Sequence, residues 1–240
     1  PDFVFHLAGY ATGLRQVEMV LPTFYDNLTA TLNLLTVATK RGCNRLLLAG
    51  SLEEPEAEDW NAIPSSPYAA AKWAISAYAR MFYALYQTPV VIPRIFMVYG
   101  PGLYNLKKLV PYVTLCLLRN EPPQLSHGER EVDWVYIDDV VEGLLLMAQT
   151  PGIEGETLDL GSGQLVSIRT LVEQLEKITQ TQVQPVFGAL PTRPMEQVRV
   201  ANLQATYEKL GWKPQVSLED GLRKTVAWYE SMIQEGAISL

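Results

Sequence analysis

The chain contains 240 residues, carries a formal net charge of −7, and is 48% hydrophobic. This apolar content excludes a disordered chain, and the length is enough for one or two domains with a core of their own. The negative charge and the lack of a basic stripe argue against nucleic acid as a partner, although a few local arginines can still bind a phosphorylated small molecule. The longest apolar runs are too short to cross a membrane.

Apolar strands alternate with amphipathic helices in the first hundred residues. The predicted strands cover residues 3–7, 45–49 and 89–96, and the predicted helices cover residues 23–41 and 67–86. Ser66 and Pro67 suit the N-cap and the first position of the second helix. This order predicts an α/β fold in which helices cover a doubly wound parallel sheet. In such sheets, ligands bind beyond the carboxyl ends of the strands.

The second half of the chain is less regular. Its apolar spacing and turn residues predict five further helices and two further strands. The helices cover residues 105–119, 139–149, 167–180, 203–210 and 218–235, and the strands cover residues 157–160 and 183–187. A turn is expected at residues 98–102, which contain two glycines and a proline.

The strongest chemical signal is a tyrosine and a lysine at the start of the second predicted helix. Tyr68 and Lys72 are four residues apart and therefore share one helix face. A nearby ammonium group stabilises a phenolate and lowers its pKa, so Tyr68 is a candidate acid and base. Ser51 directly follows the second predicted strand, where its hydroxyl can bind the same substrate oxygen. The alternative interpretation of the pair is a half-buried tyrosine beside an exposed lysine.

Short motifs follow one another along nearly the whole chain. They are Pro1–Gly9, Asn27–Leu35, Gly50–Ser51, Ser66–Lys72, Arg94–Gly102, Asp133–Val140, Leu158–Gly163, Leu190–Pro194 and Leu210–Pro214. Together they resemble the extended short-chain dehydrogenase/reductase family, which contains NAD-dependent nucleotide-sugar epimerases, dehydratases and 4-keto reductases. The resemblance implies a Rossmann-like fold, a cofactor that is NAD or NADP, and a nucleotide-sugar substrate.

The resemblance also implies roles for individual residues. Ser51 and Tyr68 would hold the sugar hydroxyl or ketone, while Lys72 would bind the nicotinamide ribose and depress the pKa of Tyr68. The residues implied on the cofactor side are Leu7, Ala8, Gly9, Asn27 and Ile95, together with Tyr68 and Lys72. The family pattern further implies an incomplete NAD(P)-binding domain and a small mixed α/β substrate-binding domain. The first covers residues 1–103 and 133–160, and the second covers residues 104–132 and 161–240.

One motif of the family is missing from the 240 residues. No Gly-x-Gly-x-x-Gly or Gly-x-x-Gly-x-x-Gly sequence occurs, although the family binds the pyrophosphate of its cofactor with such a loop after the first strand. The chain also begins at Pro1, without an initiator methionine, on a segment that resembles the family's fourth strand. We therefore expect this sequence to be the C-terminal part of a longer protein.

Glu53 is the candidate base for a different reaction. It follows Ser51 at a position where dehydratases and some 4-keto reductases of the family carry a glutamate, which in a dehydratase removes the proton next to the keto group. Leu52 stands where one dehydratase subgroup has aspartate. The alternative interpretation places Glu53 in a solvated acidic loop, whose other members are Glu54, Glu56, Glu58 and Asp59.

The substrate side departs from the family pattern at two positions. Met97 replaces an asparagine that contacts the diphosphate or sugar, and Val132 replaces an arginine. Arg193 matches a late arginine that grips the diphosphate, and Arg130 lies two residues before Val132. A guanidinium group suits phosphate oxygens, so Arg130 and Arg193 are the candidate clamp. The alternative is that each is a surface arginine. No metal site is expected.

The sequence therefore predicts an NAD(P)-dependent nucleotide-sugar epimerase or 4-keto-sugar reductase that transfers hydride at a Ser-Tyr-Lys site. One alternative is a nucleotide-sugar 4,6-dehydratase that uses Glu53, and another is a non-catalytic dinucleotide-sensing or scaffold relative. No membrane partner is expected. The family pairs two long helices, here 23–41 and 67–86, which implies a homodimer. Two cysteines without metal-ligand spacing and the lack of a secretion signal predict a cytoplasmic protein.

Overall fold

The computed structural model describes residues 1–55 and 61–238 of the chain. In chain order, its strands are β1 (Phe3–His6), β2 (Arg45–Leu48), β3 (Gly50–Ser51), β4 (Val90–Ile95), β5 (Met97–Tyr99), β6 (Gln124–Leu125), β7 (Glu131–Tyr136), β8 (Thr157–Leu160), β9 (Leu165–Ser167) and β10 (Val186–Phe187). Its α-helices are α1 (Val20–Thr23), α2 (Ala30–Arg41), α3 (Pro67–Tyr86), α4 (Leu109–Leu118), α5 (Ile137–Gln149), α6 (Ile168–Thr179), α7 (Leu203–Leu210) and α8 (Leu218–Gln234). A 3-10 turn at Val17–Met19 precedes α1, and a π-helix at Phe24–Thr29 joins α1 to α2.

Strands β1, β2, β4 and β8 lie side by side in that order and run parallel. Strand β3 continues β2 along the same side of β4, after a break at Ala49. The carboxyl ends of these strands meet at one edge of the sheet, which places His6, Ser51, Ile95 and Leu160 there. The predicted parallel sheet is therefore confirmed, and its carboxyl edge is where ligands bind in such folds.

Helices cover both faces of this sheet because the side chains of each strand alternate between the faces. On one face, Leu35 of α2 and Ile75 of α3 pack against Leu46, Leu48, Val90 and Ile92. On the other face, Leu144 and Met147 of α5 pack against Leu47, Val91, Leu158 and Leu160. Full burial of one such side chain contributes about 1.5–3 kcal/mol of hydrophobic free energy. The doubly wound arrangement predicted from the sequence is confirmed.

The C-terminal half builds a second core beside the sheet. After Phe96, the chain continues from β4 into β5, which pairs with β7. Strand β7 also pairs antiparallel with β9, and β6 pairs with β10. Helices α4, α6 and α8 pack together, and their buried apolar residues include Val113, Leu117, Leu171, Leu175 and Leu222. The division into domains at residues 103–104, 132–133 and 160–161 stays a prediction.

Two predicted helices differ from the structure. The helix predicted to start at residue 23 begins at Val20, because Pro22 is tolerated in a first turn, and the chain changes to a π-helix before α2. The helix predicted over residues 105–119 covers only Leu109–Leu118. By contrast, α3 begins as predicted, with Ser66 as its N-cap and Pro67 in its first turn.

Several strands also differ from their predictions. The strand predicted over residues 183–187 covers only Val186–Phe187. The turn predicted at residues 98–102 overlaps β5, because Met97–Tyr99 pair with β7. Strands β3, β6, β7 and β9 lie where no strand is predicted. These strands depend on partners that are distant in sequence, which local spacing does not encode.

Among residues 1–55 and 61–238, no helix is long and apolar enough to cross a membrane. Within the same two ranges, no cluster of three or more histidine, cysteine or acidic side chains is arranged to hold a metal ion. Cys43 and Cys116 are free thiols.

Candidate active site

Three predicted site residues come together at the carboxyl edge of the sheet. Ser51 ends β3, and Tyr68 and Lys72 lie in the first two turns of α3. The Ser66 Oγ atom accepts the N–H of Ala69 at 3.1 Å, which fixes the start of this helix. Ser51 and Lys72 are buried, and the Ser51 side chain is near enough to Tyr68 to lower the pKa of its phenol. The structure thus brings the serine, the tyrosine and the lysine into one site.

Lys72 is anchored to the sheet. Its Nζ donates to the carbonyl oxygen of Ala49 at 2.6 Å and lies 5.8 Å from the centre of the Tyr68 ring. Burial lowers the pKa of Lys72, and the carboxylate of Glu54 acts in the opposite direction. The alternative interpretation of Lys72 as an exposed helix lysine is therefore wrong, because its side chain is almost fully covered.

The pKa of Tyr68 lies above its ordinary value, which differs from the expectation that Lys72 depresses it. Burial is the main cause, and the negative charges of Glu54 and Glu53 add to it. The side chain of Ser51 lowers the pKa of Tyr68 and so works in the opposite direction. In this arrangement the hydroxyl of Tyr68 is held in its protonated form, which is the form that donates a proton.

Ser51 lies in a tight turn that directs its hydroxyl group. The N–H of Glu53 donates to Ser51 Oγ at 3.2 Å, so this oxygen already accepts one hydrogen bond. Its own proton remains available for Tyr68 or for a substrate oxygen. The backbone of Ser51 is held in turn by Glu54, whose Oε1 accepts the Ser51 N–H at 2.6 Å.

Both oxygens of the Glu53 carboxylate have partners. Oε1 lies 3.0 Å from Nη2 of Arg130, and Oε2 accepts the hydroxyl of Ser65 at 3.3 Å. Glu54 is only 3% exposed. The interpretation of this segment as a solvated acidic loop is therefore wrong for Glu53 and Glu54, since one is ion-paired and the other is buried. The remaining members of that loop, Glu56, Glu58 and Asp59, lie outside the described residues.

The two candidate clamp arginines have different neighbours. Arg130 also lies 3.3 Å from the carboxylate of Glu196 and donates to the carbonyl oxygen of Gln197 at 2.8 Å, so it is not a free surface arginine. Arg193 is exposed, and its Nη1 lies beside Gly13, where an added Cβ would be 2.9 Å away. Arg130 thus joins the Glu53 turn to the 196–197 segment.

Asn27 braces the loop that follows β1. Its Oδ1 accepts the Tyr10 N–H at 2.7 Å, and its Nδ2 donates to the Tyr10 carbonyl oxygen at 3.2 Å. Gly9 packs against this amide so closely that a Cβ would lie 2.5 Å from Asn27 Oδ1. Asn27 belongs to the π-helix, a feature that occurs frequently at functional sites. Its side chain therefore shapes the backbone of residues 7–10, where Leu7, Ala8 and Gly9 are exposed.

Two further predicted site residues are Ile95, which ends β4, and Met97, which begins β5. The carbonyl oxygen of Ile95 accepts the N–H of Leu52 at 3.2 Å, so Ile95 helps to hold the turn after Ser51. Met97 packs against both apolar cores. At the end of β1, His6 Nε2 lies 2.9 Å from the hydroxyl of Thr31, and burial followed by the charge of Lys72 lowers the pKa of His6.

Comparison with known proteins identifies the family. The model of the NAD dependent epimerase/dehydratase family matches residues 1–161. The chain belongs to this family. The resemblance predicted from the sequence motifs is thereby confirmed, and the arrangement of helices and parallel strands is that of a Rossmann-like fold.

Individual members of the epimerase/dehydratase family are similar over most of the chain. A dTDP-D-glucose 4,6-dehydratase from Mus musculus is 28% identical over 242 residues, an alignment that covers 95% of this chain and 67% of the mouse protein. A UDP-glucuronate 4-epimerase from Thermodesulfobacterium geofontis is 27% identical over 239 residues, with 96% and 73% covered. The chain therefore spans about two thirds to three quarters of these two relatives.

Solved structures of the family superpose closely on this fold. One is a UDP-glucose 4-epimerase from Thermotoga maritima, solved with UDP-glucose, which has a TM-score of 0.88 and is 28% identical in sequence. The superposition covers 97% of this chain and 78% of the chain of that epimerase. A UDP-glucuronic acid 4-epimerase from Bacillus cereus, solved with UDP-glucuronic acid and NAD, has a TM-score of 0.88 and 25% identity, with 96% and 76% covered.

Glu54 is the residue of this site that the motifs do not single out. It lies directly between Glu53 and the buried Pro55, and its carboxyl group is within reach of Ser76, Lys72 and Arg94. The only signal in the sequence is that Glu54 comes soon after a buried strand and that apolar residues stand at positions 52 and 55.

Proposed function

We propose that the protein to which this chain belongs is an NAD(P)-dependent nucleotide-sugar epimerase that works through Ser51, Tyr68 and Lys72. The observation that supports this most directly is the position of these three side chains at the carboxyl edge of the sheet, where Lys72 Nζ lies 5.8 Å from the centre of the Tyr68 ring. The same site would serve a 4-keto-sugar reductase, because both reactions move a hydride and a proton at one sugar carbon.

The described residues fit the nicotinamide end of the cofactor. The exposed residues 7–10 follow β1, and the Ala49 N–H donates to the carbonyl oxygen of His6 at 3.2 Å. The Ala49 carbonyl oxygen in turn accepts from Lys72, so the lysine is fixed to the same edge. The 240 residues contain no glycine-rich loop of the kind that binds a dinucleotide pyrophosphate. When bound, NAD or NADP supplies a site that takes up and returns a hydride.

In epimerisation, Tyr68 in its phenolate form removes the proton of the sugar hydroxyl as the hydride leaves its carbon, and it returns the proton to the other epimer; the raised pKa of Tyr68 makes this phenolate the less populated form. In reduction, Tyr68 protonates the forming alkoxide, which suits its raised pKa. Ser51 donates its hydroxyl proton to the same sugar oxygen and thereby stabilises the developing charge. Lys72 holds positive charge near the ring of Tyr68 and would bind the cofactor ribose.

Arg130 and Arg193 are proposed to bind the substrate's diphosphate. A diphosphate would compete with the carboxylates of Glu53 and Glu196 for Arg130. Arg193 is exposed and needs no such exchange. Since a guanidinium binds phosphate oxygens in the same geometry as carboxylate oxygens, the exchange at Arg130 preserves its hydrogen bonds.

The test replaces the hydroxyl of Tyr68. The Tyr68→Phe variant of the full-length protein is assayed with NAD and either UDP-glucose or UDP-glucuronic acid, and formation of the 4-epimer is measured. We expect kcat to fall by at least about 100-fold, because a general acid and base is lost. Tyr207→Phe removes the same hydroxyl from a residue that is 53% exposed on α7 and serves as the matched control. Wild-type turnover in Tyr68→Phe would exclude the proposed mechanism.

A second candidate function is nucleotide-sugar 4,6-dehydration with Glu53 as the base. It is favoured by the position of Glu53 two residues after Ser51 and by the similarity to a mouse dehydratase. The contacts of Glu53 with Arg130 and Ser65 weigh against it, because both carboxylate oxygens are occupied. Loss of water formation from dTDP-glucose in Glu53→Gln, with unchanged NAD binding, would support dehydration. Failure of the full-length protein to bind NAD or NADP would instead support a non-catalytic scaffold.

The outer surface of α2 and α3 is proposed to form a homodimer. Val37 on α2 is 56% exposed, and Tyr78 and Leu85 on α3 are 40% and 65% exposed. Pairing of two such surfaces would bury these apolar side chains. Light scattering of the full-length protein should give twice the protomer mass, and Tyr78→Glu should give a single protomer. A wild-type protein of one protomer mass would refute the dimer.

A further inference from the structure

A buried carboxyl group that the proposed reaction does not use lies beneath the candidate site. Glu54 is 3% exposed. Its Oε1 accepts the Ser51 N–H at 2.6 Å, and its own N–H donates to the Ser51 carbonyl oxygen at 3.1 Å. This reciprocal pair of hydrogen bonds closes the turn after β3. Ser51 is therefore held from both of its backbone groups by one residue.

The space for this carboxyl group exists because residue 50 is glycine. A Cβ at Gly50 would lie 2.9 Å from Glu54 Oε1 and 3.0 Å from Ile92 Cγ2. Gly50 is not among the glycines with a positive φ, so its backbone conformation does not require glycine. The close approach of the Glu54 carboxyl group is what excludes a side chain at this position.

Groups from two packed elements face this carboxyl group. Burial is the main influence on Glu54 and raises its pKa, while Ser76 and Lys72 of α3 and Arg94 of β4 favour the ionised form. Ser76 Oγ is buried and makes no hydrogen bond of ordinary geometry among residues 1–55 and 61–238, so its proton is available to Glu54. Arg94 is shared with Asp159, whose Oδ1 lies 3.2 Å away.

The charge of Glu54 also acts on the groups that are proposed to handle the proton. After burial, which is the main cause, ionised Glu54 raises the pKa of Tyr68, and Glu53 adds to this effect. The same charge opposes the lowering of the Lys72 pKa by burial. From β1, His6 faces Lys72. Removal of the negative charge from Glu54 therefore leaves the Tyr68 phenolate easier to form.

We propose that Glu54 is a positioning residue of this site, whose buried carboxyl group fixes the backbone of Ser51 and acts electrostatically on Lys72 and Tyr68. The proposal rests on the proposed function, which gives Ser51 and Tyr68 their roles. An ionised Glu54 keeps Tyr68 protonated, and a neutral residue at position 54 makes that proton easier to remove.

The test is a pH titration of Tyr68 in the full-length protein without cofactor or substrate. Phenolate absorbance is followed in the wild type and in Glu54→Gln, and the corresponding Tyr68→Phe proteins are subtracted to isolate Tyr68. Glutamine keeps the acceptor for the Ser51 N–H and removes the charge. We expect the pKa of Tyr68 to fall by about one pH unit, and the pH profile of kcat/KM to move in the same direction.

Glu156→Gln is the matched control. Glu156 directly precedes β8, at the opposite edge of the sheet from Tyr68, and its carboxylate pairs with Lys209 at 3.1 Å. The same loss of charge there should leave the Tyr68 titration unchanged. Glu54→Asp should restore most of the wild-type titration, since it keeps the charge, while its shorter side chain loosens Ser51 and lowers kcat.

An unchanged Tyr68 titration in Glu54→Gln overturns the proposal. If that variant does not fold, Gly50→Ala is measured instead, because its methyl group displaces the same carboxyl group; an unchanged titration overturns the proposal there too. The titration needs no turnover, so it remains decisive for Glu54 even if Tyr68→Phe proves fully active and the proposed function fails.

Discussion

Arg130 Nη2 lies 3.0 Å from Glu53 Oε1, across 77 residues of sequence. The two side chains are 14% and 22% exposed, so the pair is partly shielded from solvent. Arg130 also holds Glu196 and Gln197. One guanidinium group thus fastens the turn beside the candidate catalytic serine to a segment of the C-terminal half, and it occupies the carboxylate that a dehydratase would need as a base.

The first prediction concerns the stability that Arg130 contributes. Arg130→Met should lower the free energy of unfolding by about 2 kcal/mol, because two carboxylates and a carbonyl oxygen lose a charged donor in a partly buried position. Urea unfolding measures this. Arg223→Met is the matched control, since Arg223 pairs with Glu219 at the surface, where such pairs contribute about 0.5 kcal/mol. Equal effects of the two substitutions would contradict a structural role for Arg130.

The second prediction concerns Asp133, which is 1% exposed. Its two oxygens accept the N–H groups of Ser162, Gly163 and Ala201 at 2.5, 3.0 and 2.9 Å. Asp133→Asn turns an amide donor toward these N–H groups and should lower the free energy of unfolding by about 3 kcal/mol. Asp138→Asn, at an exposed position in the first turn of α5, should cost less than about 1 kcal/mol. Similar costs would show that Asp133 is replaceable.

The third prediction concerns the contact between Gly9 and Asn27. Gly9→Ala should lower the melting temperature, because the new methyl group would lie 2.5 Å from Asn27 Oδ1 and must displace the brace on Tyr10. We expect a cost of about 1–3 kcal/mol, as for other overpacked sites. In Gly13→Ala the methyl group meets only the flexible end of Arg193, so little change is expected. If Asn27 is the cause, Asn27→Ala should make a following Gly9→Ala substitution harmless.

The fourth prediction concerns pH and His6. Burial, followed by the charge of Lys72, lowers the pKa of His6 in the folded chain below 6.5, the value in the unfolded chain. The unfolded state therefore binds more protons as the pH falls below 6.5, and stability is lost on acidification through this window. The His6→Gln variant does not lose stability in this way. The difference in free energy of unfolding between the wild type and His6→Gln should therefore be smaller at pH 5 than at pH 8. Urea unfolding measures these free energies. The same difference between the two proteins at pH 8 and pH 5 would contradict a lowered pKa of His6 in the folded chain.

The sequence predicts best what depends on local spacing. Residues 45–48 are buried on both faces of the sheet, and a continuous apolar run is the expected pattern for such a strand. The start of α3 follows from Ser66 and Pro67, because capping is a local interaction. The meeting of Ser51 with Tyr68 follows from the shared carboxyl edge of parallel strands, and the structure agrees with it.

Burial and pKa values at the candidate site depend on contacts between residues that are distant in sequence, and local spacing does not predict them. The burial of Glu54 depends on Gly50, Ser76 and Arg94, and a run of acidic residues looks solvated without them. Likewise, the raised pKa of Tyr68 results from burial and from two carboxylates that only the folded chain brings near. The motif alone predicts a lowered pKa for Tyr68, because it shows the nearby Lys72 but does not show that the tyrosine is buried.

The break between β2 and β3 has a mechanical consequence for the candidate site. Ala49 belongs to neither strand, and its carbonyl oxygen accepts the ammonium group of Lys72 at 2.6 Å. A side chain of α3 thus takes part in the hydrogen bonding of the sheet at the point where the ladder is interrupted. Sliding of α3 along the sheet would separate a buried ammonium group from its carbonyl acceptor, which is costly. Tyr68 lies one turn earlier on the same helix, so this contact also fixes its position relative to Ser51.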